Sequence, residues 1–279
     1  MKQTILLYLL IILFSHCTKH QKQEKYVLDA FSDTIYVEKE PKRIISLTPS
    51  ITELLFAFTD TSKIIAVSNH CNAPIYVEGK KRVSSYPVDI EGIVALQPDL
   101  VVVKSDMIEP ATLQKLKELK VPVLALAFNT LNEIKKSSRS LVELTHGDTL
   151  AWRQWWGQLE INDSIVNKST YVAVITHKPI YVYGEHTFVT ELADRYGINQ
   201  IQHFNSPYPE VSVEYLYKKQ PDVWFFSDSA QSDMFFKEYP YFDKSKSKQI
   251  IIEDDILSRP GYRLPFLNLL LKSALCNDR

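Results

Sequence analysis

Glycine is scarce in this chain: seven residues in 279, at 79, 92, 147, 157, 184, 197 and 261, spaced so widely that neither GxGxxG nor GxxxxGK[ST] can be written. Both loops that bring backbone N–H groups onto a nucleotide phosphate are therefore absent. The same scarcity removes GxSxG, the turn that exposes a hydrolase serine, and neither HExxH nor CxxC occurs. An excess of either charge is missing as well, since 32 Lys and Arg face 33 Asp and Glu. A nucleic-acid binder needs a basic stripe, so that class is excluded. No apolar run reaches the roughly 18 residues that a spanning helix requires. What remains, with 45% hydrophobic and 23% charged residues, is the composition of an ordered protein with a sizeable core.

The front of the chain reads as an address. Lys2 precedes ten unbroken apolar residues, Ile5 to Phe14, then Ser15-His16-Cys17 and a polar run from Thr18 to Lys25. Ten residues make about 15 Å of helix, half the hydrocarbon thickness, so residues 1–16 read as an export signal and not as a resident span. The cysteine after the apolar stretch resembles the lipobox of bacterial lipoproteins, in which that Cys is acylated and becomes the new N-terminus. His16 stands where a small residue is usual, and Phe14 where Leu is commonest. On this reading Cys17 carries the lipid, residues 17–40 form a tether and N-terminal segment, and the protein sits in the periplasm or cell envelope, anchored to a membrane. The other reading is a plain secretory signal with Cys17 incidental. Cys71 and Cys276 either bridge in the oxidising compartment or stay buried thiols.

Self-similarity points to two related halves. Asp89-Ile90-Glu91 leads through Leu96 to Gln97-Pro98-Asp99-Leu100-Val101-Val102, and Ser212-Val213-Glu214 leads through Lys219 to Gln220-Pro221-Asp222-Val223-Trp224-Phe225. Glu, Gln, Pro and Asp recur at one offset of 123 residues, and a Tyr-Pro pair precedes each block, Tyr86-Pro87 and Tyr208-Pro209. Asp89 and Ser212 suit helix N-caps, the Glu sits in a first turn where the dipole favours an anion, and Gln-Pro-Asp ends the helix before a β-rich run. Elsewhere Arg43 to Leu47 predicts a strand, and Ser50-Ile51-Thr52-Glu53 a capping box opening a helix through Phe58. A helix from Leu113 to Leu119 and a strand from Val121 to Ala127 follow. The second half repeats the pattern with strands at Tyr171 to Ile175, Tyr181 to Val182 and Ile250 to Ile252, and helices at Phe188 to Tyr196 and Leu264 to Leu275. Such alternation predicts α/β lobes with parallel sheets. Residues 148–168 contain no Pro and set Trp152, Trp155, Trp156 and Leu159 on one helical face, which predicts a single connecting helix, with Gly157 and Asn162-Asp163 as places where it could break. The lobes are then 41–147 and 169–279, with a small-molecule cleft between them.

Three segments carry a resemblance: Pro41-Lys42-Arg43-Ile44-Ile45-Ser46-Leu47-Thr48-Pro49-Ser50-Ile51-Thr52-Glu53, Ile93-Val94-Ala95-Leu96-Gln97-Pro98-Asp99-Leu100-Val101-Val102, and Arg259-Pro260-Gly261-Tyr262-Arg263. Over residues 41 to 275 the chain resembles the periplasmic substrate-binding proteins of ABC importers for cobalamin, ferric siderophores and haem, most of all the cobalamin binders. The resemblance implies two Rossmann-like α/β lobes joined by one long helix, no catalysis and no resident cofactor. It implies a monomer that serves an importer permease and its ATPase. It matches Glu91 and Glu214 to carboxylates that meet permease arginines, although both also suit helix first turns. It matches His70, Tyr86 and Tyr208 to rings flanking the ligand, and Asp255 and Arg259 to polar contacts. His70 and Tyr86 replace a Tyr and a Trp of the cobalamin binders, His70 being either a metal ligand or a wall ring. Arg259 is also placed to pair with Asp254 or Asp255, and Glu53 is accounted for by its capping box.

Two function classes compete. The first is an exported binding protein for a corrinoid, with a ferric siderophore or haem as alternative ligand. The second is an exported hydrolase, for which the sequence supplies no nucleophile and base. A bare metal ion would need three or four close ligands, and the histidines at 70, 177, 186 and 203 lack ligand spacing.

Overall fold

The computed structural model describes residues 25–37, 40–160 and 169–276. The expected export signal, Cys17 and residues 161–168 of the expected connector lie outside the described residues, as does the Cys276 side chain. Strands Lys25–Leu28 (β1) and Thr34–Val37 (β2) form an antiparallel hairpin. Its turn is held by Asp29, whose Oδ1 accepts from the N–H groups of Phe31 at 2.8 Å and Asp33 at 2.9 Å. The Ala30 N–H reaches the Ala125 carbonyl, so part of the expected tether packs onto the lobe.

The first lobe is built on Ile44–Ser46 (β3), Pro49–Phe58 (α1), Ile64–Ser68 (β4), Lys81–Val83 (β5), Ile90–Ala95 (α2), Leu100–Lys104 (β6), Pro110–Glu118 (α3), Val123–Leu126 (β7) and Leu131–Leu144 (α4). Its sheet is parallel, in the order β5-β4-β3-β6-β7. Alternate residues of β6 enter different cores. Leu100 and Val102 pack with Leu54 of α1 and Ile134 of α4, whereas Val101 and Val103 pack with Ile93 of α2 and Leu116 of α3. Burial on both faces explains why these strands are continuous apolar runs.

Thr149–Gly157 (α5) leads to the second lobe: Thr170–His177 (β8), Ile180–Val182 (β9), Phe188–Arg195 (α6), Asn199–Gln200 (β10), Val213–Lys219 (α7), Val223–Phe226 (β11), Ser229–Glu238 (α8), Lys248–Ile251 (β12), Asp254–Leu257 (α9) and Leu264–Cys276 (α10). The order β10-β8-β11-β12 is parallel, and β9 adds to β8 antiparallel, a departure from the wholly parallel sheet expected. One core runs through both lobes, joining Leu54 and Phe58 to Trp152, Trp155, Tyr171, Leu192 and Leu267.

The repeat has a structural cause. Gln97 and Gln220 both take a left-handed conformation, φ 47° and 48°, and each turns the chain out of its helix. The Asp99 carboxylate then accepts from the N–H groups of Lys42 and Arg43 at 2.8 and 2.9 Å, and that of Asp222 from the N–H of Thr170 at 2.7 Å. In each lobe Gln-Pro-Asp thus pins the start of the central strand, β3 or β8, beside the strand that follows the motif.

Two expectations need correction. The first helix begins at Pro49, not after Ser50, because proline's fixed φ suits the first helical position; its N-cap is Thr48, with no side-chain cap bond. Glu53 is therefore not part of a capping box. The connector helix ends at Gly157 after nine residues. The carbonyls of Gln158 and Leu159 are taken by Asn268 Nδ2 and Arg195 Nη1, both at 2.9 Å, so side chains of the second lobe replace the next helical turn.

Candidate functional site

Loops at the carboxyl ends of β4, β5 and β6 surround a cavity of about 720 Å³, whose lining includes His70, Ser85, Tyr86, Asp106, Met107 and Glu109. The carboxyl edge of a parallel sheet is where open α/β folds hold ligands. The backbone of His70 is held by its main-chain N–H, which donates to Ser68 Oγ at 3.1 Å, and that hydroxyl is in turn 2.9 Å from Ser85 Oγ. Arg82 clamps the loop by donating to the carbonyls of Ser68 at 3.1 Å and Val77 at 3.3 Å. Beneath it Cys71 is a buried free thiol, and burial pushes its pKa up. Tyr86 stands 81% exposed on the rim.

Tyr208 comes from the opposite lobe. It rests edge-on against Tyr183 with ring centroids 6.0 Å apart and remains 44% exposed. Its loop closes over Gly184, where a Cβ would lie 2.2 Å from the Ser206 carbonyl oxygen, so no side chain fits there. Burial raises the Tyr208 hydroxyl pKa, and the Asp106 carboxylate of the first lobe raises it further. Burial likewise raises that of Tyr183, with Asp254 and Tyr208 adding to it.

Asp255 and Arg259 do not line the cavity. They pair with each other at 2.9 Å and with Asn72, two residues beyond His70: Arg259 Nη1 donates to Asn72 Oδ1 at 2.5 Å, and Asn72 Nδ2 donates to Asp255 Oδ2 at 3.2 Å. Arg263 lies 3.6 Å from Asp255 Oδ2 and donates to Glu53 Oε1 at 2.9 Å. Glu53 is 5% exposed, and burial raises its carboxyl pKa more than Arg263 lowers it. Of the expected pocket residues, His70 and Tyr86 line the cavity; Tyr208, Asp255 and Arg259 do not, and Asp255 with Arg259 forms a bridge between the lobes through Asn72, two residues beyond His70.

Asp106, Met107 and Asn72 were not anticipated. Asp106 and Met107 had a legible signal, since they follow directly on the end of the strand Leu100–Lys104, where ligand loops are expected. Asn72 had none. Glu91 and Glu214 are exposed in the first turns of α2 and α7, behind the N-caps Asp89 and Ser212. Among the described residues no group of His, Cys, Asp and Glu could hold a metal ion, and no helix is long and apolar enough to cross a membrane.

Among the described residues, three cations near the cleft are engaged by carboxylates. Lys104 lies 2.9 Å from Asp106, Arg259 is engaged with Asp255, and Arg263 with Glu53. What the walls offer a ligand is aromatic surface, carboxylate and hydroxyl acceptors, and the His70 ring.

Comparison with known proteins gives a consistent set. The family model for periplasmic binding proteins matches residues 44–147. The vitamin B12-binding protein of Vibrio parahaemolyticus is 31% identical over 215 residues, covering 74% of this chain and 78% of its own. Among solved structures, the periplasmic vitamin B12 binding protein BtuF of Vibrio cholerae superposes with a TM-score of 0.73 at 25% identity, over 85% of this chain and 97% of its own. The periplasmic haem-binding protein BhuT, solved with two haems, has a TM-score of 0.70 at 18% identity, over 84% and 99%, a likeness of fold.

Proposed function

The chain belongs to the periplasmic binding proteins of ABC importers, and from that premise we propose that it captures cobalamin or a related corrinoid outside the cytoplasm and delivers it to the importer's permease and ATPase. The observation that carries this choice of ligand is the charge of the cleft. A haem brings two carboxylates and an anionic ferric siderophore carries its own negative charge, so both call for free cations. Here Lys104, Arg259 and Arg263 are each engaged by a carboxylate, and Asp106 and Glu109 stand on the cavity wall. A corrinoid presents a broad ring fringed with carboxamides, whose N–H groups suit carboxylate and hydroxyl acceptors and whose faces suit Tyr86 and Tyr208. The name of the 31% identical relative supports the same ligand. Haem is the second reading, favoured by His70 and Tyr208, whose ring nitrogen and phenol are iron-ligand types contributed by different lobes.

Glu91 and Glu214 are the docking carboxylates in this account. Both are exposed, and each helix also exposes an apolar residue one turn on, Val94 and Tyr217. Cys17 carries the lipid that holds the protein at the envelope, and Asp255 with Arg259 supplies polar contacts at the cleft's edge. The test is co-elution. Purified protein mixed with excess cyanocobalamin and passed through a sizing column is expected to carry the ligand's visible absorbance at one per chain. Protein emerging colourless overturns the corrinoid reading.

A further inference from the structure

The strip from Asp255 to Arg263 is wedged against the first turns of α1 in the opposite lobe. A Cβ on Gly261 would lie 2.9 Å from the Ser50 carbonyl oxygen and 3.0 Å from its Cα, so the two backbones meet without room for a side chain. The next carbonyl, that of Tyr262, accepts from Trp155 Nε1 at 2.8 Å. Beside this contact, Asn72, Asp255 and Arg259 close a ring in which each partner contacts the other two. Asp255 Oδ1 is taken by Arg259 at 2.9 Å, while Oδ2 receives Asn72 at 3.2 Å and faces Arg263 at 3.6 Å. Arg263 is thus the link from that ring to Glu53, which is anchored in the buried side of α1.

Neither Glu53 nor Arg263 lines the cavity of His70 and Tyr86; Arg263 borders a separate depression of about 430 Å³ with Trp155, Tyr262 and Phe266. A buried ion pair is weak as a source of stability, because desolvation offsets its attraction, and among the described residues Glu53 Oε2 has no hydrogen-bond partner. Its arginine also lies 3.6 Å from Asp255 Oδ2, an ionic contact longer than a hydrogen bond that couples Glu53 electrostatically to Asp255.

We propose that Glu53 and Arg263 are positioning residues for the ligand cleft: through Arg263 the first helix holds Asp255, and through Asp255 it holds Arg259 and Asn72, in the arrangement that the captured molecule meets. The proposal rests on the reading that Asp255 and Arg259 contact the ligand. It gives Glu53 a role that acts across 210 residues of sequence and involves no contact with ligand.

The test is a double-mutant cycle on the full chain, with cyanocobalamin and haemin both titrated into wild type to fix the probe. Glu53→Gln and Arg263→Met are each expected to weaken binding at least fivefold, Arg263→Lys to restore part of the loss, and thermal unfolding to confirm that every variant is folded. In an Asp255→Asn background the same substitutions are expected to weaken binding no further, because the group they position has changed. Unchanged affinity in folded Glu53→Gln and Arg263→Met overturns the relay. So does an equal loss with and without Asp255, which would mark a general effect on the fold. Wild type that takes haemin and refuses cyanocobalamin overturns the corrinoid reading alone, and the cycle then runs on haemin. Wild type that takes neither overturns both.

Discussion

On the proposed reading Tyr208 is the wall that the second lobe contributes to the cleft, and replacing it with alanine removes that wall. A tyrosine exposes about 200 Å² in full. With 44% of it open, about 90 Å² is left for a ligand to cover, which at about 25 cal/mol per Å² is about 2 kcal/mol, or about 30-fold in affinity. The edge-on contact with Tyr183 adds a second loss, because Tyr183 then shifts or takes on water. Relaxation of the loop acts the other way, and its extent is limited by Gly184, whose N–H donates to the Pro207 carbonyl at 2.8 Å. The expected result is cyanocobalamin binding weakened between about tenfold and thirtyfold. Tyr208→Phe separates area from polarity: it keeps the ring and is expected to lose less than about threefold if covered area dominates. Calorimetric titration at fixed pH and salt reads both variants. A Tyr208→Ala protein that binds within threefold of wild type would mean that the ligand does not use this wall.

Other outcomes follow from named contacts. Gly261→Ala must move a backbone by several tenths of an ångström against Ser50, and overpacking of this kind costs about 1–3 kcal/mol; a melting temperature unchanged from wild type would contradict the wedge. Because burial raises the Glu53 carboxyl pKa in the fold, its favourable share of stability is full below the unfolded value and is lost as pH rises through the folded one. Denaturant titrations of Glu53→Gln are therefore expected to show a larger gain, or a smaller loss, relative to wild type at pH 7 than at pH 4, and the reverse order would refute the sign. Glu91→Arg combined with Glu214→Arg is expected to abolish uptake while ligand affinity stays intact, since both carboxylates are exposed in helix first turns and neither lines the cavity; growth of the double variant on limiting corrinoid would make them helix-terminus residues and nothing more. Cys17→Ala is expected to release the protein from the membrane fraction, and continued membrane association would exclude a lipid on that residue.

Local physics made most of the fold legible. Gln97-Pro98-Asp99 and Gln220-Pro221-Asp222 announced two lobes because the motif acts within its own helix end and the neighbouring strand start. The helix Leu264–Cys276 and the buried strand Leu100–Lys104 follow from apolar pattern alone. The hairpin Lys25–Leu28 with Thr34–Val37 was missed although Tyr26, Val27, Ile35, Tyr36 and Val37 suit strands and Asp29 and Asp33 mark the turn, because two four-residue strands fell inside the stretch read as a tether. In the site, His70, Tyr86 and Tyr208 were expected from resemblance, and the first two line the cavity. The bridge between lobes was only half visible: Asp255 with Arg259 is a four-residue spacing that a helix turn brings together. The partner Asn72 lies 187 residues from Arg259, and no local rule reaches that far. Glu53 was misassigned for a related reason. The Ser50-to-Glu53 spacing satisfies a capping rule, but Pro49 shifted the helix start and left the carboxylate free to meet Arg263.

The central claim is that the cleft selects a neutral, amide-fringed ring over an anionic one, because its cations are already paired. Competition on one sample decides it: protein saturated with cyanocobalamin is titrated with haemin and with an anionic ferric siderophore at constant salt, and displacement is read from the visible spectrum. The account predicts that neither competitor displaces half of the corrinoid at tenfold excess. Displacement by equimolar haemin would contradict it.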